Sequence, residues 1–61
     1  MNREKIRQIR NDLGLTQAEF AKLIGVHRIT VVYWEGGKMR PSRLAMQAIE
    51  RALHSRSKVV K

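Results

Sequence analysis

An arginine, two β-branched aliphatics and a tyrosine share one arc of the sequence between positions 28 and 33. At about 100° per residue, Arg28, Ile29, Val32 and Tyr33 fall opposite Val31 and Trp34. Only one of these sides can face a protein core. Trp34, the sole tryptophan, and Val31 predict the buried side, placed to knit this helix to the first and fourth helices. The other arc is then turned outward, where Ile29, Val32 and Tyr33 are costly for a soluble monomer unless something covers them. Double-stranded DNA is a suitable cover. A major groove admits an α-helix, guanine offers two acceptors to a bidentate arginine such as Arg28, and the thymine methyl suits Ile29 or Val32. Tyr33 is placed for a base edge or a phosphate. The competing account is packing against a neighbouring chain or another part of this one.

A second set of residues suits the phosphate backbone. Thr16 and Gln17 open the second helix, where unpaired N–H groups and the helix dipole favour an anion and the glutamine adds a donor. Lys38, Arg40 and Arg43 cluster just past the third helix, beside the outward arc. The plainer account of Gln17 and of the charge cluster is a solvated surface. His27, immediately before the third helix, is either an ordinary turn residue or a phosphate contact when protonated. Arg10 shares a side of the first helix with Ile6 and Leu13, and Glu35 lies on the core-side flank of the third helix. The two are expected to form an ion pair that orients these helices.

Glycine and proline punctuate the chain at Gly14, Gly25, Gly36-Gly37 and Pro41 and divide it into four helix-sized pieces. The first, Asn2 to Leu13, spaces Ile6, Ile9 and Leu13 helically. Next comes Thr16-Gln17-Ala18-Glu19, a capping box, with Leu15 and Phe20 positioned as a hydrophobic staple across it. This second helix is expected from Gln17 to Ile24, with Gly25 as its left-handed stop. Val26-His27 then leads into a third helix, Arg28 to Glu35, closed by Gly36-Gly37. Two short helices joined by a glycine turn is a helix-turn-helix pattern. The fourth piece starts near Pro41-Ser42 and runs to about His54. Residues 1–54 are read as one domain and 55–61 as a short basic tail, with helical continuation, fraying and a disordered arm all open for it.

Composition narrows the classes further. The chain has 61 residues, 43% of them hydrophobic and none of them cysteine, so stability must come from packed apolar side chains without disulfides or thiolate zinc. Thirteen Lys and Arg against five Asp and Glu give a formal charge of +8 and a pI of about 11.3, which favours polyanionic partners. No apolar run approaches a membrane span and no signal-peptide core follows Met1, so a soluble, cytoplasmic protein is expected. Two histidines and five acids make no recognisable nucleophile–base set or metal cluster, so neither catalysis, a metal nor a cofactor is expected.

The segment Leu15-Thr16-Gln17-Ala18-Glu19-Phe20-Ala21-Lys22-Leu23-Ile24-Gly25-Val26, with Trp34-Glu35-Gly36-Gly37-Lys38 and Pro41-Ser42, resembles the Cro and phage-repressor family of helix-turn-helix domains, also called the XRE type. The likeness covers about residues 3 to 53. It implies an all-α, compact four- to five-helix, lambda-repressor-like bundle whose third helix lies in the major groove, bound by paired subunits to a two-fold symmetric operator. By position, Arg28, Ile29, Val32 and Tyr33 resemble the family's base-reading residues, and Gln17, Lys38, Arg40 and Arg43 its phosphate-clamping ones. Arg10 and Glu35 match its interhelical ion pair. Two departures stand out. His27 occupies the place of a serine or threonine cap, and only Ser55 to Lys61 follow the fourth helix, where family members often carry a fifth that makes the dimer contact.

The fourth helix supplies a substitute for that contact. Its apolar arc, Leu44, Ala45, Met46, Ala48, Ile49 and Leu53, spans about 200°, wider than the stripe of about 100° that core packing needs. Met46, Ile49 or Leu53 is therefore expected in an isologous homodimer contact. The sequence thus predicts a transcriptional regulator of the repressor kind that binds double-stranded DNA. Two other readings remain. One is the antitoxin of a toxin–antitoxin pair, binding a toxin-type protein and its own operator; the other is a membrane-active cationic peptide, against which the caps and glycine stops argue.

Overall fold

Three short polar side chains start three of the helices. Asn2 Oδ1 accepts from the Lys5 N–H at 2.8 Å, Thr16 Oγ1 from the Glu19 N–H at 3.1 Å, and Ser42 Oγ from the Ala45 N–H at 3.1 Å, each satisfying a donor that the helix itself leaves unpaired. In the computed structural model, which describes residues 2–59, the helices are α1 (Arg3–Asp12), α2 (Gln17–Ile24), α3 (Arg28–Gly36) and α4 (Arg43–Val59). The capping box of α2 is complete, because Glu19 Oε1 also accepts from the Thr16 N–H at 2.9 Å. α3 lacks such a device. His27 stands at its N-cap with extended backbone and makes no side-chain capping bond.

The stops are backbone devices. Gly25 ends α2 in the left-handed region, with φ +94°, where its N–H and that of Val26 both donate to Ala21 O at 2.8 and 2.9 Å. Gly37 ends α3 in the same way with φ +81°. The two glycines expected to act together there divide the work: Gly36 is still helical and Gly37 alone turns.

The core gathers one apolar stripe from each helix. Ile6, Ile9 and Leu13 come from the α1 side, Phe20 and Ala21 from α2, Val31 and Trp34 from α3, and Ala45 and Ile49 from α4. Leu15, Ile24, Val26 and Leu53 close over it as partly buried residues. α3 packs against both α1 and α2 and so forms the centre of the bundle. Trp34, expected to bridge α3 to α1 and α4, is buried, but the fourth helix docks chiefly on α2 rather than on α3.

α4 departs from expectation in two ways. It continues beyond His54 to Val59, so the stretch read as a tail is helical as far as that residue; residues 60 and 61 lie outside the described ones. Ile49 is fully enclosed in this chain's own core, at 0% exposure, which removes it from any contact with a second chain. The wide apolar arc misled because half of it is spent internally. Its uncovered part is Leu44, 74% exposed, with Met46, Ala48 and Leu53 half-buried beside the enclosed stripe.

Candidate nucleic-acid interface

The orientation of α3 follows from which of its residues the core takes up. Val31 and Trp34 are 0% and 2% exposed, whereas Ile29, on the opposite side, is 48% exposed. Arg28 is exposed with it, and Val32 and Tyr33 are half-buried along the same arc. The helix therefore offers one cation, two branched methyl-bearing side chains and a phenol to the outside.

That helix is fixed in place from its last turn by a charge network. The Arg10 guanidinium donates from Nε to Glu35 Oε2 at 2.6 Å and from Nη2 to Glu35 Oε1 at 3.1 Å, a bidentate pair between α1 and α3. Its remaining arm, Nη1, donates to the carbonyl of Leu15 at 2.9 Å. Gln17 Nε2 donates to Glu35 Oε1 at 3.2 Å, and Arg7 Nε stands 3.7 Å from the same oxygen. One carboxylate thus ties the end of α1, the start of α2 and the end of α3 together. Burial alone would push the Glu35 carboxyl upward. The hydrogen bonds from Arg10 and Gln17 and the charges of Arg10 and Arg7 outweigh it and hold the group below its ordinary value. The bond to Glu35 raises Arg10 further, against the opposing effect of burial, so the guanidinium is permanently charged.

The cations assigned to the phosphate backbone lie along the chain that leaves α3. Lys38 follows the Gly37 stop, Arg40 sits in the connection and Arg43 opens α4; all three are exposed. The connection is folded back onto α3, since Lys38 N and Met39 N both donate to Tyr33 O, at 2.9 and 3.3 Å. Lys38 Nζ also sits over the Tyr33 ring, 5.6 Å from its centroid. Tyr33 and Lys38 are therefore one unit. At the other end, the Thr16 hydroxyl accepts from Glu19 N and keeps its own proton for a further acceptor, while Gln17 has spent one of its two amide donors on Glu35. His27 is exposed at the start of α3.

Some of these links were hidden in the sequence. Arg7 shares a face with Arg10 at i, i+3 and could have been placed beside Glu35 on that ground. The Gln17–Glu35 bond joins residues 18 apart, with no local signal. Among the described residues, no group of His, Asp and Glu could hold a metal ion, and no helix is long and apolar enough to cross a membrane.

Two short helices locked at a glycine turn, the second with its face to solvent and its end pinned, define a helix-turn-helix unit. The helix-turn-helix family model matches residues 6–57. An uncharacterized HTH-type transcriptional regulator of Archaeoglobus fulgidus is 43% identical over 54 residues, 88% of this chain and 77% of its own length. One of Methanothermobacter thermautotrophicus is 45% identical over 51 residues, 84% of this chain and 74% of its own. A further Archaeoglobus fulgidus protein of the same description is 37% identical over 54 residues, 88% and 76% of the two chains. These relatives are archaeal. No solved structure matches the chain. The chain belongs to the XRE-type helix-turn-helix family of DNA-binding transcriptional regulators.

Proposed function

We propose that this protein is a transcriptional repressor that binds a palindromic operator as a homodimer, with α3 in the major groove. The observation that carries the reading is the division of α3 into a hidden side, Val31 and Trp34, and an uncovered arc headed by Arg28 and Ile29. In this reading Arg28 pairs with a guanine edge, Ile29 and Val32 meet thymine methyls, and Tyr33 contributes at the end of the arc. Thr16, Gln17 and His27 take phosphates at one end of the unit, and Lys38, Arg40 and Arg43 take them at the other. The dimer contact is assigned to α4, with Met46 and Leu53 beside the uncovered Leu44. Repression is favoured because occupying promoter duplex suffices for it.

Selection of bound sites from random duplex DNA tests the reading as a whole. It is expected to return an inverted repeat, with half-sites about one helical turn apart. On that operator, Arg28→Ala should change the preferred base at one position of each half-site at a cost of about 1–3 kcal/mol. Arg43→Ala, at an exposed cation outside the Tyr33–Lys38 unit, should weaken all sequences alike and lower the salt slope by about 0.9. Uniform losses from both substitutions would refute the division of roles. Recovery of single, unpaired half-sites by a monomer would refute the dimer.

A further inference from the structure

A groove of about 720 Å³ separates the first turn of α1 from the connection between α3 and α4. Buried Ile6, Trp34 and Pro41 and exposed Arg3, Lys5 and Arg40 line it. No carboxylate does. The ion pairs among the described residues are those of Arg7 and Arg10 with Glu35, so the three cations that line the groove have no ion-pair partner there. Arg3 is held across Gly37: a Cβ there would lie 3.0 Å from Arg3 Nη1 and 3.3 Å from its Cδ. From that position Nη1 reaches the Gly36 carbonyl at 3.5 Å.

The groove is not a continuation of the reading arc. Trp34, which lies on the opposite side of α3 from Arg28, Ile29, Val32 and Tyr33, is among its lining residues, and none of those four is. Its volume falls within the range of small-ligand sites, about 300–1,000 Å³, and exceeds what a bare oxyanion fills. Met39, 46% exposed, adds an apolar wall. We propose that the groove binds a small phosphate ester carrying a flat apolar group, of mononucleotide size. Arg3, Lys5 and Arg40 take the phosphate, and the half-exposed Met39 takes the apolar body, with the nearly enclosed Trp34 sharing the lining. Arg40 also belongs to the cations assigned to the DNA backbone. A bound ester therefore competes for Arg40 and loosens the operator complex; this coupling rests on the proposed DNA reading, whereas the binding itself does not.

Trp34 is the sole tryptophan, which makes its fluorescence a reporter of this groove. The full chain is titrated at constant ionic strength with 5′-adenylate, phenyl phosphate and inorganic phosphate, and separately with operator duplex. The expected result is a saturable change with the two esters, weaker binding of inorganic phosphate, and at least a tenfold loss of ester affinity in Arg3→Gln/Lys5→Gln. Lys5→Gln alone, which leaves Arg3 on Gly36, should show a smaller loss with an unchanged melting temperature. Saturating ester should lower operator affinity several-fold. Absence of a saturable change up to roughly 10 mM, or a response that the double variant shares, overturns the proposal. A double variant that loses tenfold in duplex affinity while no small ester binds would give the groove to the DNA backbone, overturning the proposal and leaving the DNA reading intact. Ester binding without any duplex binding would do the reverse.

Discussion

Replacing Glu35 by glutamine keeps the volume of the side chain and removes one charge from the junction of three helices. Of the two Arg10 bonds, at 2.6 and 3.1 Å, one falls from charge-assisted to ordinary strength and the other is lost, because glutamine keeps a single accepting oxygen and its NH2 only donates, a loss of about 1 kcal/mol each. The Arg10 side chain, 16% exposed, is left without its counter-charge, though the Leu15 carbonyl still holds one arm. The expected cost is about 2 kcal/mol for Glu35→Gln and about 3–5 kcal/mol for Glu35→Ala, which leaves the cation alone. A domain of this size has roughly 3–9 kcal/mol in total, so the alanine variant should lose from about a third to all of its stability. Thermal melting followed by circular dichroism should place Glu35→Gln about 8–16 °C below the parent. Combined with Arg10→Gln, the second substitution should cost at least 1 kcal/mol less than it does alone, roughly the coupling expected of a contacting pair. A glutamine variant that melts within about 1 °C of the parent would show that the network positions the helices without stabilising them, and the reasoning would be wrong.

Acid should have a related effect. The Glu35 carboxyl is depressed in the folded chain, so its contribution is complete above the unfolded-state value of about 4.3 and is lost as the pH falls through the lower folded value; in urea titrations against pH, Glu35→Gln should flatten that acid limb. Thr16→Ala removes half of the capping box and should cost about 1 kcal/mol by urea denaturation, with Thr16→Ser restoring most of it. Gly25→Ala meets no atom within 4 Å and yet should cost about 1–2 kcal/mol, because alanine pays for φ +94° through its backbone alone. An unchanged midpoint would locate the stop of α2 elsewhere.

What the sequence revealed was what local chemistry determines. The bounds of α2 were legible because Thr16, Glu19 and Gly25 act on backbone groups within one turn of themselves, and the sides of α3 because a lone tryptophan and a valine three residues apart outweigh a scattered arc. The Arg10–Glu35 contact needed only the faces of two helices. The end of α4 was not legible, since past Leu53 no glycine or proline marks a stop and a basic polar stretch reads equally as helix or coil. Ile49 was misassigned for a different reason. Hydrophobic width says how much of a helix wants cover, not which neighbour supplies it, and docking of α4 on α2 is set by residues far apart in the chain. The coupling of Lys38 to Tyr33 depends on the turn at Gly37, whose direction no pattern of side chains records.

The separation of α3 into two sides also bears on how such a molecule can change. Arg28 and Ile29 bury little and hold nothing else in place, so exchanging them leaves the scaffold's free energy nearly untouched. New recognition properties can then accumulate by single substitutions without compensating repairs inside, and duplicated copies of the gene can diverge in their targets while sharing one architecture.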